Sequence, residues 1–286
     1  MAISKRYDFV VLFDVENGNP NGDPDAGTSP RIDPETGYGF VTDVCLKRKI
    51  RNYVEAVKEN EAGYNILVKP DRSLNSKFKA AYEECGLATG KGGKNTDDVL
   101  KARDYICKNY FDVRAFGAVM STGDDPCGIV RGPVQINFAR SISPVEELEV
   151  TITRQAKTTD ERMETGGTEM GHKNIIPYAL YRAEGYISAS LAQKVTGLSD
   201  EDVELIWKAI INMFDIDHSA MRGKMCTRKL YVFEHDSALG EAPSNILFDK
   251  ISVEAKNPEK PPRQFSDYVI TVDESMPKGV KLIEKL

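Results

Sequence analysis

A chain of 286 residues that is 41% apolar can bury a real core, in one large domain or two. It has no run of about 18 apolar residues and no basic-plus-apolar leader, which argues against a membrane span and for a soluble, cytoplasmic protein. A formal net charge of −6 speaks against a general polyanion binder, and five cysteines (45, 85, 107, 127, 226) without a CxxC pair argue for reduced thiols and against a zinc site.

The charge is unevenly placed. Between Val44 and Lys58 five cations meet only Glu55, and from His218 to Leu230 four cations (Arg222, Lys224, Arg228, Lys229) meet no carboxylate, so each stretch carries +4. Any polyanion contact would be a basic groove in acidic surroundings.

In chain order, Asp8 to Val15 is apolar and β-branched enough for a buried strand. Asn17 to Gly37 then collects Asn17, Asn19, Asn21, four glycines and four prolines, a loop of turn-formers. From Thr42, a capping residue, Leu46, Ile50, Tyr53, Val54 and Val57 recur at helical spacing. Lys47, Arg48 and Arg51 lie off that stripe, so a helix packed by its apolar face would turn them outward. Glu59 to Gly93 is weakly periodic, and its GKGGK lacks the spacing and hydroxyl of a phosphate-binding P-loop. A helix opens at Thr96, Asp97 and Asp98 and runs toward Phe111.

Val113 to Met120, the polar turn Ser121 to Gly128, and a strand over 130–140 follow; in that strand Val134, Ile136 and Phe138 alternate with Gln135 and Asn137. Gly117 and Gly132 permit close backbone approach by a ligand or by a neighbouring strand. Leu148 to Thr153 and Ile175 to Leu191 read as strands around a polar stretch, Arg154 to Lys173, that has too little to bury and should project as an arm. Ser199 with Asp202 makes a capping box for a helix carrying Val203, Ile206, Trp207, Ile210 and Phe214. Lys229 to Glu234 is a strand, the region from Ile246 to Val253 is strand-like, and strand and short helix are expected up to Leu286.

The main pieces follow the order β-α-β-β-α-β of the ferredoxin-like fold, which also underlies the RRM, although the aromatic RNP signatures are missing. The expectation is an α+β chain, 1–286, with insertions after the first helix and between the second and third strands.

Four stretches carry a resemblance: Phe9-Val10-Val11-Leu12-Phe13-Asp14-Val15-Glu16-Asn17-Gly18-Asn19-Pro20-Asn21-Gly22-Asp23-Pro24, Thr42-Asp43-Val44-Cys45-Leu46-Lys47-Arg48, Asp112-Val113-Arg114-Ala115-Phe116-Gly117, and Val130-Arg131-Gly132-Pro133-Val134-Gln135. Together they closely resemble the Cascade backbone subunit of type I-C CRISPR systems, the "Cas seven" family. The resemblance implies a hand-shaped subunit with an RRM-like palm, a helical finger over 60–111 and a β-hairpin thumb over 154–174. It implies copies stacked head to tail along a guide RNA that pairs with target DNA, together with other Cascade subunits and with no cofactor.

A subunit serving many guides should hold phosphate and sugar and leave base edges free. In that context Lys47, Arg48 and Arg51 are assigned to the guide backbone, beside Asn17 and Asn19. Arg131, Gly132 and Gln135 with Phe116, Gly117, Met120 and Ser121 are assigned to the palm groove. Met163 and His172 belong to the thumb, and Arg222 and Lys224 form a second cationic contact. The alternative is a metal-dependent ribonuclease using Asp23, Asp25 and Asp33, since related type III backbone subunits cut RNA with an aspartate from this region. Three scattered histidines, no Gly-x-Ser-x-Gly elbow and no dinucleotide fingerprint leave a metabolic enzyme without a chemistry.

Overall fold

The structure is a computed structural model that describes residues 1–92, 94–154 and 169–286. Its centre is an antiparallel sheet. The first strand, β1 (Tyr7–Gly18), lies between β8 (Glu169–Ile187) and β9 (Lys224–His235). Outward from β9 comes β12 (Val280–Glu284); outward from β8 come β6 (Ala139–Pro144) and then β2 (Tyr38–Val41). The short β5 (Val134–Ile136) and β7 (Leu148–Arg154) also pair with β8. This is the expected mixture of α and β, with every strand pair of the sheet antiparallel.

β1 is apolar from Phe9 to Phe13 because both of its faces are covered. Phe9, Val11, Phe13 and Val15 pack under two helices, α1 (Asp43–Val57) and α5 (Asp200–Asn212), among Leu46, Ile50, Val54, Ile206 and Trp207. The Phe9 and Trp207 rings meet edge to face, 5.2 Å between centroids. On the other face Val10 and Leu12 pack with Leu180, Phe233, Phe248, Ile251 and Tyr268. These last residues belong partly to α6 (Ser244–Phe248) and to the hairpin of β10 (Ile251–Ala255) and β11 (Tyr268–Val272), which roofs the sheet. A buried side chain of this size contributes roughly 1.5–3 kcal/mol, so a strand used on both faces is the fold's main anchor.

A satellite cluster stands beside the sheet. It is built from α2 (Leu74–Glu84), α3 (Thr96–Asn109) and the hairpin of β3 (Gly117–Met120) and β4 (Gly128–Arg131), around Phe78, Tyr82, Ile106, Met120 and Val130. A short helix, α4 (Phe111–Phe116), joins it to the main core. Arg114 of α4 bonds both oxygens of Asp202 at 2.9 and 2.8 Å, tying that junction to the capped start of α5.

Several sequence expectations change. Residues 130–140 are three strands, because Pro133 has no N–H for the ladder and the chain turns there from β4 to β5. The ladder breaks again at Asn137 and Phe138, so Phe138 leaves the buried alternation and is 54% exposed. Residues 246–248 are helical, and the terminal short helix is instead strand β12, completing the sheet beside β9. Residues 155–168, including Met163 and most of the expected thumb, lie outside the described residues. Among the described residues no helix is long and apolar enough to cross a membrane.

Candidate nucleic-acid interface

The start of α1 is built by side-chain caps. Thr42 accepts the Cys45 amide at 3.3 Å, and Asn21 Oδ1 accepts both the amide and the hydroxyl of Thr42 at 2.9 Å. Asn19 holds the loop shut: its Oδ1 accepts the Asn21 amide at 3.1 Å, its Nδ2 donates to Thr28 O at 2.6 Å, and its own amide donates to Met221 O at 2.7 Å. Asn19 is therefore 6% exposed and faces inward, whereas Asn17 stays exposed at the end of β1 with φ of +51°. A Cβ on Gly223 would run into the Asn17 carbonyl, so the loop holding Arg222 and Lys224 packs directly against the asparagine-rich loop.

One edge of α1 gathers most of the remaining predicted residues. Lys47 Nζ bonds Asp43 at 2.9 Å and Gln135 Oε1 at 3.3 Å and lies 5.8 Å from the centre of the Phe116 ring. Gln135 donates to Gly132 O at 3.1 Å. Arg48 donates to Val68 O at 2.8 Å and has no carboxylate partner among the described residues. Arg131 is exposed at the end of β4 and has no carboxylate partner among the described residues; Ser121 is exposed at the mouth of the same hairpin.

Four assignments change orientation. Arg51 is 8% exposed; its Nε donates to Asp112 at 2.9 Å, and the guanidinium lies over Phe116. It turns inward because the fully buried Asp112 carboxylate requires a cation. Lys49 is likewise buried and pairs with Asp217, so the buried face keeps the expected Leu46, Ile50 and Val54 at its centre and is widened on both sides by charged residues, while Val57 at the helix end is 48% exposed. Met120 is fully buried in the satellite cluster, since β3 alternates and Val119 takes the outward position. Gly117 and Gly132 face each other's main chain: a Cβ on either would overlap the other's amide nitrogen. Their freedom serves strand-to-helix packing, and Gly132 is itself buried.

Of the second cationic contact, Arg222 pairs with Asp217 and also donates to its carbonyl at 2.9 Å, while Lys224 is exposed, 3.3 Å from Glu16. His172 stands on the β7–β8 ribbon with Nδ1 2.9 Å from Glu149, and the next residue, Lys173, donates to Ala220 O at 3.0 Å. The ribbon base thus meets the same loop as β1's end. Asp43, Asp112 and Asp217, which set how each cation points, went unassigned in the sequence; a carboxylate four residues before Lys47 was the one local signal.

The first-loop aspartates act as turn-formers. Asp23 caps a short turn by accepting the Asp25 amide at 3.1 Å and sits 3.4 Å from Arg31. Asp33 accepts the Thr36 hydroxyl and the Glu35 amide, which lowers its pKa below the usual carboxylate value. Among the described residues no three His, Cys, Asp or Glu side chains converge as a metal site would need. Cys45 is pushed toward the neutral thiol by burial, so it is a poor nucleophile. What the arrangement offers is charge and hydrogen-bond donors along one helix edge and two loops.

The profile of the family described as "CRISPR-associated protein Cas7" matches residues 5–273. A "CRISPR-associated protein Cas7" of Haloferax volcanii is 28% identical over an alignment of 236 residues that covers 74% of this chain and 66% of that protein, slightly less than two thirds of the relative. A chain of a solved "CRISPR RNA-guided surveillance complex, pre-nicking" superposes with a TM-score of 0.52 at 15% identity, over 80% of this chain and 75% of that one. That superposition bears on the fold, and the profile, reaching from before β1 into the residue after β11, bears on descent: the chain belongs to the CRISPR-associated protein Cas7 family.

Proposed function

We propose that this chain is a non-catalytic backbone subunit of a type I-C RNA-guided surveillance complex in the cytoplasm. Copies stack head to tail along a guide RNA, hold its ribose and phosphate without regard to sequence, and leave bases free to pair with a target DNA strand. The other Cascade subunits complete the assembly. In this reading the sheet is an RRM-like palm: the order β9-β1-β8-β5, with α1 and α5 on one face, is compatible with ferredoxin-like connectivity. Residues 60–111 act as the finger and 154–174 as the thumb.

The observation that carries the reading, beyond family membership, is the contact of Lys47 on α1 with Gln135, whose amide donates to the carbonyl of Gly132 next to the exposed Arg131, with Arg48 beside Lys47 on the same helix. Three cations and a carboxamide suit phosphate and ribose hydroxyls, which carry no base sequence. The test is binding of the purified chain to single-stranded RNAs of unrelated sequence across a salt series. Similar affinities that fall steeply with salt are expected, with the RNA still intact after incubation with magnesium. Failure to bind RNA, strong preference for one sequence, or magnesium-dependent cleavage lost in Asp23→Ala would overturn the proposal.

A further inference from the structure

We infer that Phe40 and Phe138 form a stacking platform for an unstacked nucleobase of the bound RNA, an inference that rests on the RNA reading above and adds a contact to it. The two rings are parallel, 1° between planes and 6.3 Å between centroids, and Phe138 is 54% exposed. The pair arises from register. Val41 and Ala139 face each other across β2 and β6 and are fully buried on the helix side, so Phe40 and its partner Arg140 project from the opposite face. The β10–β11 roof covers that face over the central strands and reaches β6 only farther along, where Tyr268 approaches Ser143 at 3.4 Å. The edge bearing the two rings is left open.

What is adjacent argues for a nucleobase. Phe138 lies three residues beyond Gln135, whose side chain meets Lys47, so the rings continue the edge where phosphate and ribose would be held. The Arg140 guanidinium lies 6.0 Å from the centre of the Tyr38 ring, and its one carboxylate neighbour among the described residues, Asp33, is 3.7 Å away and more than one third exposed. Exposed aromatic faces flanked by cations bind single-stranded RNA without choosing among bases, because every base has a π face. A strand held by its backbone at α1 could lay a base on the outer face of Phe138.

The test uses a single-stranded RNA carrying 2-aminopurine and its abasic counterpart, with the full chain, Phe138→Ala and Phe138→Leu. Phe138→Leu keeps apolar bulk at a half-exposed position and removes only the π face. Wild-type protein should quench 2-aminopurine, and both variants should lose the quenching together with roughly 5- to 150-fold in affinity for the base-bearing RNA. Affinity for abasic RNA should stay unchanged. Equal affinity of wild type and variants for the base-bearing RNA would overturn the inference and leave the backbone reading standing. So would a variant that changes self-association while RNA binding holds, which would make the strip a protein contact. A wild-type chain that binds neither RNA would overturn both.

Discussion

Arg51 Nε donates to Asp112 Oδ2 at 2.9 Å inside the protein, and Asp112 also accepts the amides of Leu67 and Val68 at 2.8 and 3.1 Å. One carboxylate thereby fastens α1, α4 and the start of the satellite cluster. Arg51→Ala would leave a fully buried charge without its cation, a loss on the order of 3–5 kcal/mol. Chemical denaturation should show that loss for Arg51→Ala and under about 1 kcal/mol for Lys47→Ala, whose partner Asp43 stays solvated. A stable Arg51→Ala protein that has lost only RNA affinity would contradict this assignment.

The close approach of Gly117 and Gly132 makes a second claim about stability. Gly117 has φ of +79°, and a methyl on Gly132 would overlap the carbonyl carbon of Phe116 and the amide of Gly117. Main chain cannot swing aside as a side-chain tip can, so Gly132→Ala should cost at least the roughly 1–3 kcal/mol of core overpacking. A thermal melt of the variant reads this directly. If the glycines instead kept a path open for RNA, the melt would be unchanged and affinity would fall.

The contrast between these residues and the helix caps shows what was legible in the sequence. Thr42, Ser199 and Asp202 announce helix starts by residue type, and β1 announces itself by the apolar run from Phe9 to Phe13, because capping and strand patterning are local. The direction of Lys49 and Arg51 is not local: their carboxylates lie 168 and 61 residues away. A helical stripe drawn from apolar residues alone therefore finds the buried centre at Leu46, Ile50 and Val54 but misses the charged residues buried on either side of it. Phe138 misleads for a related reason, since its alternation with Val134 and Ile136 continues across a break in the ladder. Helix α2 is hidden in the sequence by mixed periodicity. It closes on Ser73 as cap and on an apolar face of Phe78, Ala81 and Tyr82 that is complete only when α3 packs against it.

Buried thiols predict alkaline sensitivity. Burial pushes Cys107 from 9.0 up to about 11 and Cys127 up to about 12. Above pH 9 the unfolded chain releases these protons while the folded chain retains them, so stability is full below pH 9 and declines as pH rises toward 11 to 12. Urea unfolding at intervals from pH 7 to 11 should show a loss that begins near pH 9 and reaches on the order of 5 kcal/mol at pH 11 for the two thiols together, reduced in a Cys107→Ala/Cys127→Ala protein. Iodoacetamide at pH 8 should leave both residues unmodified until the chain unfolds.

The cations of the candidate interface divide by whether they already have a carboxylate. Arg48 and Arg131 have none among the described residues, whereas Arg222 is committed to Asp217, which also neutralises the buried Lys49. Charge reversal should therefore separate them. Arg48→Glu and Arg131→Glu should weaken binding of every RNA sequence alike, and each should reduce the slope of log affinity against log salt by about 0.7 for every phosphate that is no longer neutralised. Their melting temperatures should stay near wild type, because neither side chain holds a buried partner. Arg222→Glu would place a carboxylate against Asp217, and its first effect should be on stability. Fluorescence anisotropy with two unrelated RNAs at four salt concentrations, beside a thermal melt of each variant, measures all of this. An unchanged salt slope in both Arg48→Glu and Arg131→Glu would move the phosphate-binding residues away from this edge of α1.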